Sequence, residues 1–110
     1  MAAKEGFWYS TREPTLPMPV PNPDPNPSEF IEKYIQVQND LKSRGLMRMF
    51  KGLSPCRICG CNNGCIEFRV PDKWYFPIGL LHYLRDHNVR PSKEFEQFIM
   101  DYKVGTEIST

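Results

Sequence analysis

The sequence predicts an α+β fold, a β-hairpin with about three helices, preceded by an extended proline-rich arm. Three observations carry that reading. Seven of the eleven prolines in this 110-residue chain lie between Pro14 and Pro27. Apolar residues recur at three- and four-residue steps after Pro27, and again after Pro77 and Ser92. A period-two stretch, Ile66-Glu67-Phe68-Arg69-Val70, is followed by a turn and by the strand-like Trp74-Tyr75-Phe76.

The arm, residues 1–27, is read in two pieces. Phe7-Trp8-Tyr9 is an aromatic cluster, and from Pro17 to Pro27 every second residue is proline. Proline fixes φ, lacks the N–H and keeps its predecessor out of the α region, so the run is expected to be extended and polyproline-like. Its aromatics either fold back over a small core or offer bait to a groove on another protein. Residues 28–110 form the single small domain. Asn26-Pro27-Ser28-Glu29 is a helix start with Asn26 as N-cap and Pro27 at the first helical position. Phe30, Ile31, Tyr34, Ile35, Val37 and Leu41 supply the apolar stripe, and Gly45 the stop, giving a helix over 27–44. Leu46 to Gly52 reads equally as a short strand or an extended link. Residues 55–65, dominated by cysteine, glycine and asparagine, form a knuckle. The hairpin spans 66–76, turning at Pro71-Asp72-Lys73. A helix over 77–88 starts at Pro77, and a last one over 92–103 starts at Ser92; residues after Gly105 are expected to fray.

Composition narrows the function classes. No apolar run approaches the roughly 20 residues that span a bilayer. The opening MAAKEGFWYSTREP has no apolar signal-peptide region, which predicts a cytoplasmic, reducing setting with cysteines as thiols. Fourteen basic and thirteen acidic side chains give a net charge of +1, too balanced for a general polyanion binder, although Lys42, Arg44, Arg48, Lys51 and Arg57 form a local basic run. With the arm set aside, about 80 residues remain, a size at which small proteins commonly need a disulfide, a metal or a partner.

Four cysteines and two histidines point to the metal. Cys56-Arg57-Ile58-Cys59-Gly60 places two thiolates on one tight turn, where backbone N–H groups offset their charge. His82 and His87, twenty-two residues on, complete a C-x2-C, H-x4-H set. Five residues of ideal helix rotate by roughly 140°, so the helix must tighten or unwind near His87 for both rings to converge. The preferred ligand set is Cys56, Cys59, His82 and His87, with Zn2+ as the ion. Cys56, Cys59, Cys61 and Cys65 form the competing all-thiolate set, and a redox CxxC pair is a third reading. Cys61 and Cys65 are expected to be bystanders. Four protein ligands leave no position for a catalytic water, and no H-E-x-x-H, G-x-S-x-G or phosphate-binding glycine loop occurs, so the site is expected to be structural and the protein not an enzyme. Loss of the ion is expected to unfold the C-terminal half.

The chain resembles a group of small bacterial proteins without an assigned activity. The resemblance rests on Cys56-Arg57-Ile58-Cys59-Gly60, Asn63-Gly64, Glu67-Phe68, Trp74 to Pro77, Gly79-Leu80, His82-Tyr83, His87, Val89-Arg90-Pro91 and Glu94-Phe95, with Tyr9-Ser10, Arg12 and Leu16-Pro17 in the arm. It implies a cysteine pair and a histidine pair at the positions named above. The expected role is a zinc-stabilised interaction module binding a protein through Phe7, Trp8, Tyr9 and Trp74. A nucleic-acid-binding finger and a component of a larger assembly, such as that of a phage or mobile element, are the alternatives, and a homodimer is compatible with the small aromatic core.

Overall fold

A computed structural model describes residues 2–8, 14–49 and 55–104. Seven elements follow in order: β1 (Ala3–Lys4), α1 (Ser28–Ser43), β2 (Met47–Met49), β3 (Ile66–Val70), β4 (Trp74–Pro77), α2 (Leu80–Asp86) and α3 (Lys93–Asp101). The α+β class is as expected. The four strands form one mixed sheet in the order β1-β4-β3-β2. No described helix is long and apolar enough to cross a membrane.

Alternation along β3 and β4 sends Phe68, Val70 and Phe76 to one face of the sheet, and α1 and α3 cover it. Tyr34, Val37 and Leu41 on α1, with Phe95 and Ile99 on α3, are fully buried there. The rings pack edge-on or tilted: Phe76 lies 5.1 Å from Phe95 and 5.9 Å from Tyr34, and Trp74 lies 5.2 Å from Phe95. Tyr102, just past α3, donates its hydroxyl to Asp40 Oδ2 at 2.6 Å, which fastens α3 to α1.

α1 stops in a Schellman arrangement, with Gly45 N–H on the Lys42 carbonyl and Leu46 N–H on the Leu41 carbonyl. Leu46 packs on the core, and the chain leaves directly into β2, so the Leu46 to Gly52 segment resolves to a strand antiparallel to β3 as far as Met49. Its remainder lies outside the described residues. The hairpin closes as read, with Lys73 N–H on the Val70 carbonyl and Asp72 at φ 60°. Ser92 caps α3, accepting from Phe95 N–H at 3.2 Å.

Two expectations are corrected. Pro77 does not start a helix: it closes β4 opposite Glu67, and α2 begins only at Leu80. The last strand residue has no need of an N–H when Ile78 N–H takes the next bond, to the Ile66 carbonyl at 2.8 Å. Asn26 does not cap α1. Pro27 occupies that position, with no side-chain cap, because the Asn26 amide is engaged elsewhere. The arm also joins the sheet, where Ala3–Lys4 pairs in parallel with Trp74–Tyr75.

The arm then clasps the segment after α2. Asn22 N–H bonds the Asn88 carbonyl at 2.9 Å and Pro21 bridges Val89. Asn26, 8% exposed, donates to the carbonyls of Leu84 (2.8 Å) and Val89 (3.0 Å) and accepts from Arg90 at 2.8 Å. Closer to the N-terminus, the Glu5 carboxylate accepts from Ser92 N–H and Oγ. A polyproline run has unspent backbone groups, and here they and one amide side chain fix a loop that has few of its own. Between the arm and the Glu67–Arg69–Tyr75 face of the sheet lies a cavity of about 870 Å³.

Candidate metal centre

The centre is built from two pieces of backbone. In the first, Pro55 to Asn62, the chain turns back on itself: Pro55 bridges Asn62, Cys56 N–H bonds the Cys61 carbonyl at 2.8 Å, and Gly60 N–H bonds the Cys56 carbonyl at 2.9 Å. Gly60 holds φ 77°, a conformation in which a Cβ is strained even though there is open space around it. This turn aims the Ile58 and Cys59 N–H groups at Cys56 Sγ, 3.4 and 3.5 Å away.

The second piece is α2 and its exit. His82 lies on the helix; His87 is the C-cap at φ −120°, ψ 5°, already off the helical path, and Asn88 follows at φ 52°. The unwinding demanded by the five-residue spacing therefore occurs at His87. It brings the rings edge-to-face, 4.7 Å between centroids, with the two Nε2 atoms 3.1 Å apart. Tyr83 joins the pieces, accepting Arg57 N–H at 2.7 Å and packing with Cys56, Val89 and Trp8 in a small cluster of its own. Asn63 adds a second joint, donating to the Gly79 carbonyl at 3.1 Å. A Cβ on Gly79 would lie 2.5 Å from the Asn63 carbonyl oxygen, so only glycine fits there.

Cys56, Cys59, His82 and His87 offer four donor atoms that all lie within 4.8 Å of one another. Tetrahedral Zn2+ with Zn–S of about 2.3 Å and Zn–N of about 2.05 Å requires separations of about 3.3 Å between nitrogens, 3.6 Å between sulfur and nitrogen and 3.8 Å between sulfurs. The imidazoles stand 3.1 Å apart, and Cys59 Sγ is 3.3 Å from His82 Nε2. The preferred four residues thus fit one ion with small adjustments.

Local electrostatics prepare the donors. The Cys61 backbone N–H, followed by the imidazoles of His82 and His87, lowers the Cys59 thiol to about 5. Burial opposes charge on His82, but the Cys59 thiolate and the Asp86 carboxylate outweigh it and raise that pKa. Asp86 Oδ2 lies 2.9 Å from His82 Nδ1, which leaves Nε2 to face the cluster. Asp86 is itself held below the usual carboxylate range by Arg85 and then His82. A carboxylate behind a histidine ligand fixes its ring and raises its basicity.

Comparisons with protein-family models, curated proteins and solved structures find no match to this chain. The site therefore stands on its own geometry.

Cys61, expected from the sequence to be a bystander, is not in the four-residue cluster but lies beside it. Its Sγ lies 3.4 Å from His82 Nε2, and its thiol is pushed up by hydrogen bonding to the Cys59 thiolate. The alternating cysteines 59 and 61 were the signal that could have found it. Cys65, half-buried, is not in the four-residue cluster. Of the expected partner-binding aromatics, Trp8 packs edge-on to Tyr83 at 5.7 Å, Trp74 packs on Phe95 and Phe98, and Phe7 is half-buried beneath Lys4. Tyr9 lies outside the described residues.

Proposed function

We propose that the protein is a zinc-binding structural module that presents its surface to a protein partner, without catalytic activity of its own. The convergence of Cys56, Cys59, His82 and His87 carries the metal half of this reading. Two thiolates neutralise a divalent cation, the four donors fill a tetrahedral sphere, and a closed sphere has no site for a reacting water. The resemblance described above, with a cysteine pair and a histidine pair at the same positions, supports it.

A protein partner is favoured over nucleic acid by the composition of the exposed elements. α2 buries Leu80, Tyr83 and Leu84, and its Arg85 is tied to Asp86 at 3.2 Å, so it lacks the basic face of a groove-reading helix. In the basic run, Arg44 pairs with Asp40 at 2.8 Å, and Lys51 lies outside the described residues. Exposed apolar side chains stand instead on the edge strand β2, where Met47 is 42% and Met49 73% exposed, and on the arm, where Met18 is 50% and Val20 73% exposed. Phe7, Trp8 and Trp74 are half-buried and retain some accessible ring surface.

Elemental analysis with thiol counting tests the reading. Purified protein is expected to hold one zinc per chain, and stripping it with a chelator is expected to expose Cys56 and Cys59 to a thiol reagent. Protein that carries no transition metal, takes up none and keeps the same stability with chelator would defeat it.

A further inference from the structure

The centre holds more donors than one tetrahedral ion uses. His82 Nε2 is the common neighbour: Cys59 Sγ lies 3.3 Å from it, Cys61 Sγ 3.4 Å and His87 Nε2 3.1 Å. Each value is close to the donor separation of a tetrahedral site, which is about 3.6 Å for sulfur with nitrogen and 3.3 Å for two nitrogens. Cys56 adds a fifth donor.

These five are not held alike. Cys56 is 3% exposed and receives two backbone N–H groups. His82 is oriented from behind by Asp86. Cys59 receives the Cys61 N–H. The other two stand at the ends of their backbone pieces. His87 follows the last residue of α2, outside the helical hydrogen-bond ladder, and Cys61 is exposed where the knuckle leaves the turn. The Cys61 position is nevertheless built: Cys56 N–H on its carbonyl and the Pro55–Asn62 bridge bring residue 61 back alongside Cys56.

Resting on the metal reading above, we propose that Cys61 and His87 compete for the fourth position on the ion, so that the centre exchanges between Cys56, Cys59, His82, His87 and Cys56, Cys59, Cys61, His82. The first set with a divalent ion is neutral and the second carries one negative charge. Thiophilic ions favour the second, because a soft cation gains more from a third thiolate than from an imidazole.

Co2+ binding to the full chain reads the thiolate number directly, because sulfur-to-cobalt charge-transfer intensity rises with each thiolate ligand. The series is the unsubstituted chain, His87→Ala, Cys61→Ser and the double variant. His87→Ala is expected to bind one Co2+ tetrahedrally, with charge-transfer intensity per ion characteristic of three thiolates and affinity within about tenfold of the unsubstituted chain. The double variant is expected to lose at least about a further tenfold. A second arm does not depend on His87→Ala folding: Cys61→Ser is expected to weaken Cd2+ binding more than Zn2+ binding. If His87→Ala binds with no more than two thiolates, or if Cys61→Ser leaves the Cd2+ to Zn2+ ratio unchanged, the exchange is overturned while the metal reading stands. An unsubstituted chain that binds none of the three ions overturns both.

Discussion

The molecule has two interiors of different character. Under α1 and α3, twelve of the described residues, half of them aromatic, are buried in one cluster against the sheet. Around the knuckle, among the described residues, only Cys56, Tyr83 and Val89 are buried together, with Trp8 against them. The first region is held by apolar area and ring packing. The second is held by directed groups: backbone N–H on sulfur, Asn26 on carbonyls, Tyr83 on the knuckle and the four converging donors. Apolar burial tolerates small displacements, whereas a cluster of thiolates and imidazoles without an ion gathers like charge and unpaired lone pairs. The shortage of core inferred from chain length is therefore local to the knuckle.

Several substitutions would break or sharpen this contrast. The largest effect is expected in the aromatic core. Phe95→Ala empties a fully buried site shared by Tyr34, Trp74 and Phe76 and is expected to cost about 3–5 kcal/mol in denaturant unfolding, while the folded fraction still binds metal one to one. Next comes the clasp. Asn26→Ala takes the amide donor from the Leu84 and Val89 carbonyls and one of two acceptors from Arg90, and is expected to cost about 1–3 kcal/mol, with a matching loss of metal affinity because His87 sits on the clasped segment. Asp86→Asn removes the carboxylate behind His82 and is expected to weaken zinc binding by about 10- to 100-fold in a competition titration, with little change in the metal-free protein. Cys65→Ser, outside the four-residue cluster, is expected to stay within about 0.5 kcal/mol.

Acid should act on the same region. The folded value of the Cys59 thiol is depressed, from 9.0 to about 5. A depressed acid contributes stability that is present above its unfolded value and is lost as pH falls through the folded one. The apparent zinc affinity, followed by competition with a chromogenic indicator, is accordingly expected to fall more steeply with acid once pH drops through about 5, where binding must also displace the Cys59 proton.

Much of this arrangement was legible in the residues. α1, the hairpin and α3 announced themselves by period and by Gly45 and Ser92, because each buries one regular face. The ligand set was legible because C-x2-C followed by glycine constrains a turn, and because the awkward H-x4-H spacing itself demanded the unwinding found at His87. What stayed hidden depends on long-range contacts with no local pattern. Two residues, Ala3–Lys4, carry no strand periodicity, and their pairing is decided by the free edge of β4. Asn26 before Pro27 looks like a helix cap, but its amide satisfies three groups 58 to 64 residues away instead. Pro77 reads as a helix start because its place at a strand end, opposite Glu67, is visible only once the sheet forms. Apart from its alternation with Cys59, Cys61 carries no local pattern that marks it as a neighbour of His82; the antiparallel return from Cys56 to Cys61 places its sulfur there.

Hydrogen exchange on zinc-loaded and chelator-treated protein tests the division between the two interiors most directly. Removal of the ion is expected to abolish protection at the Cys56, Cys59, Gly60 and Val89 amides while α1, α3 and the β3–β4 ladder keep theirs, in place of the unfolding of the whole C-terminal half expected from the sequence, because Phe68, Phe76, Phe95 and Ile99 hold those elements in the larger core. Loss of protection across α1 and β3 together with the knuckle, or no change at the knuckle amides, would contradict it.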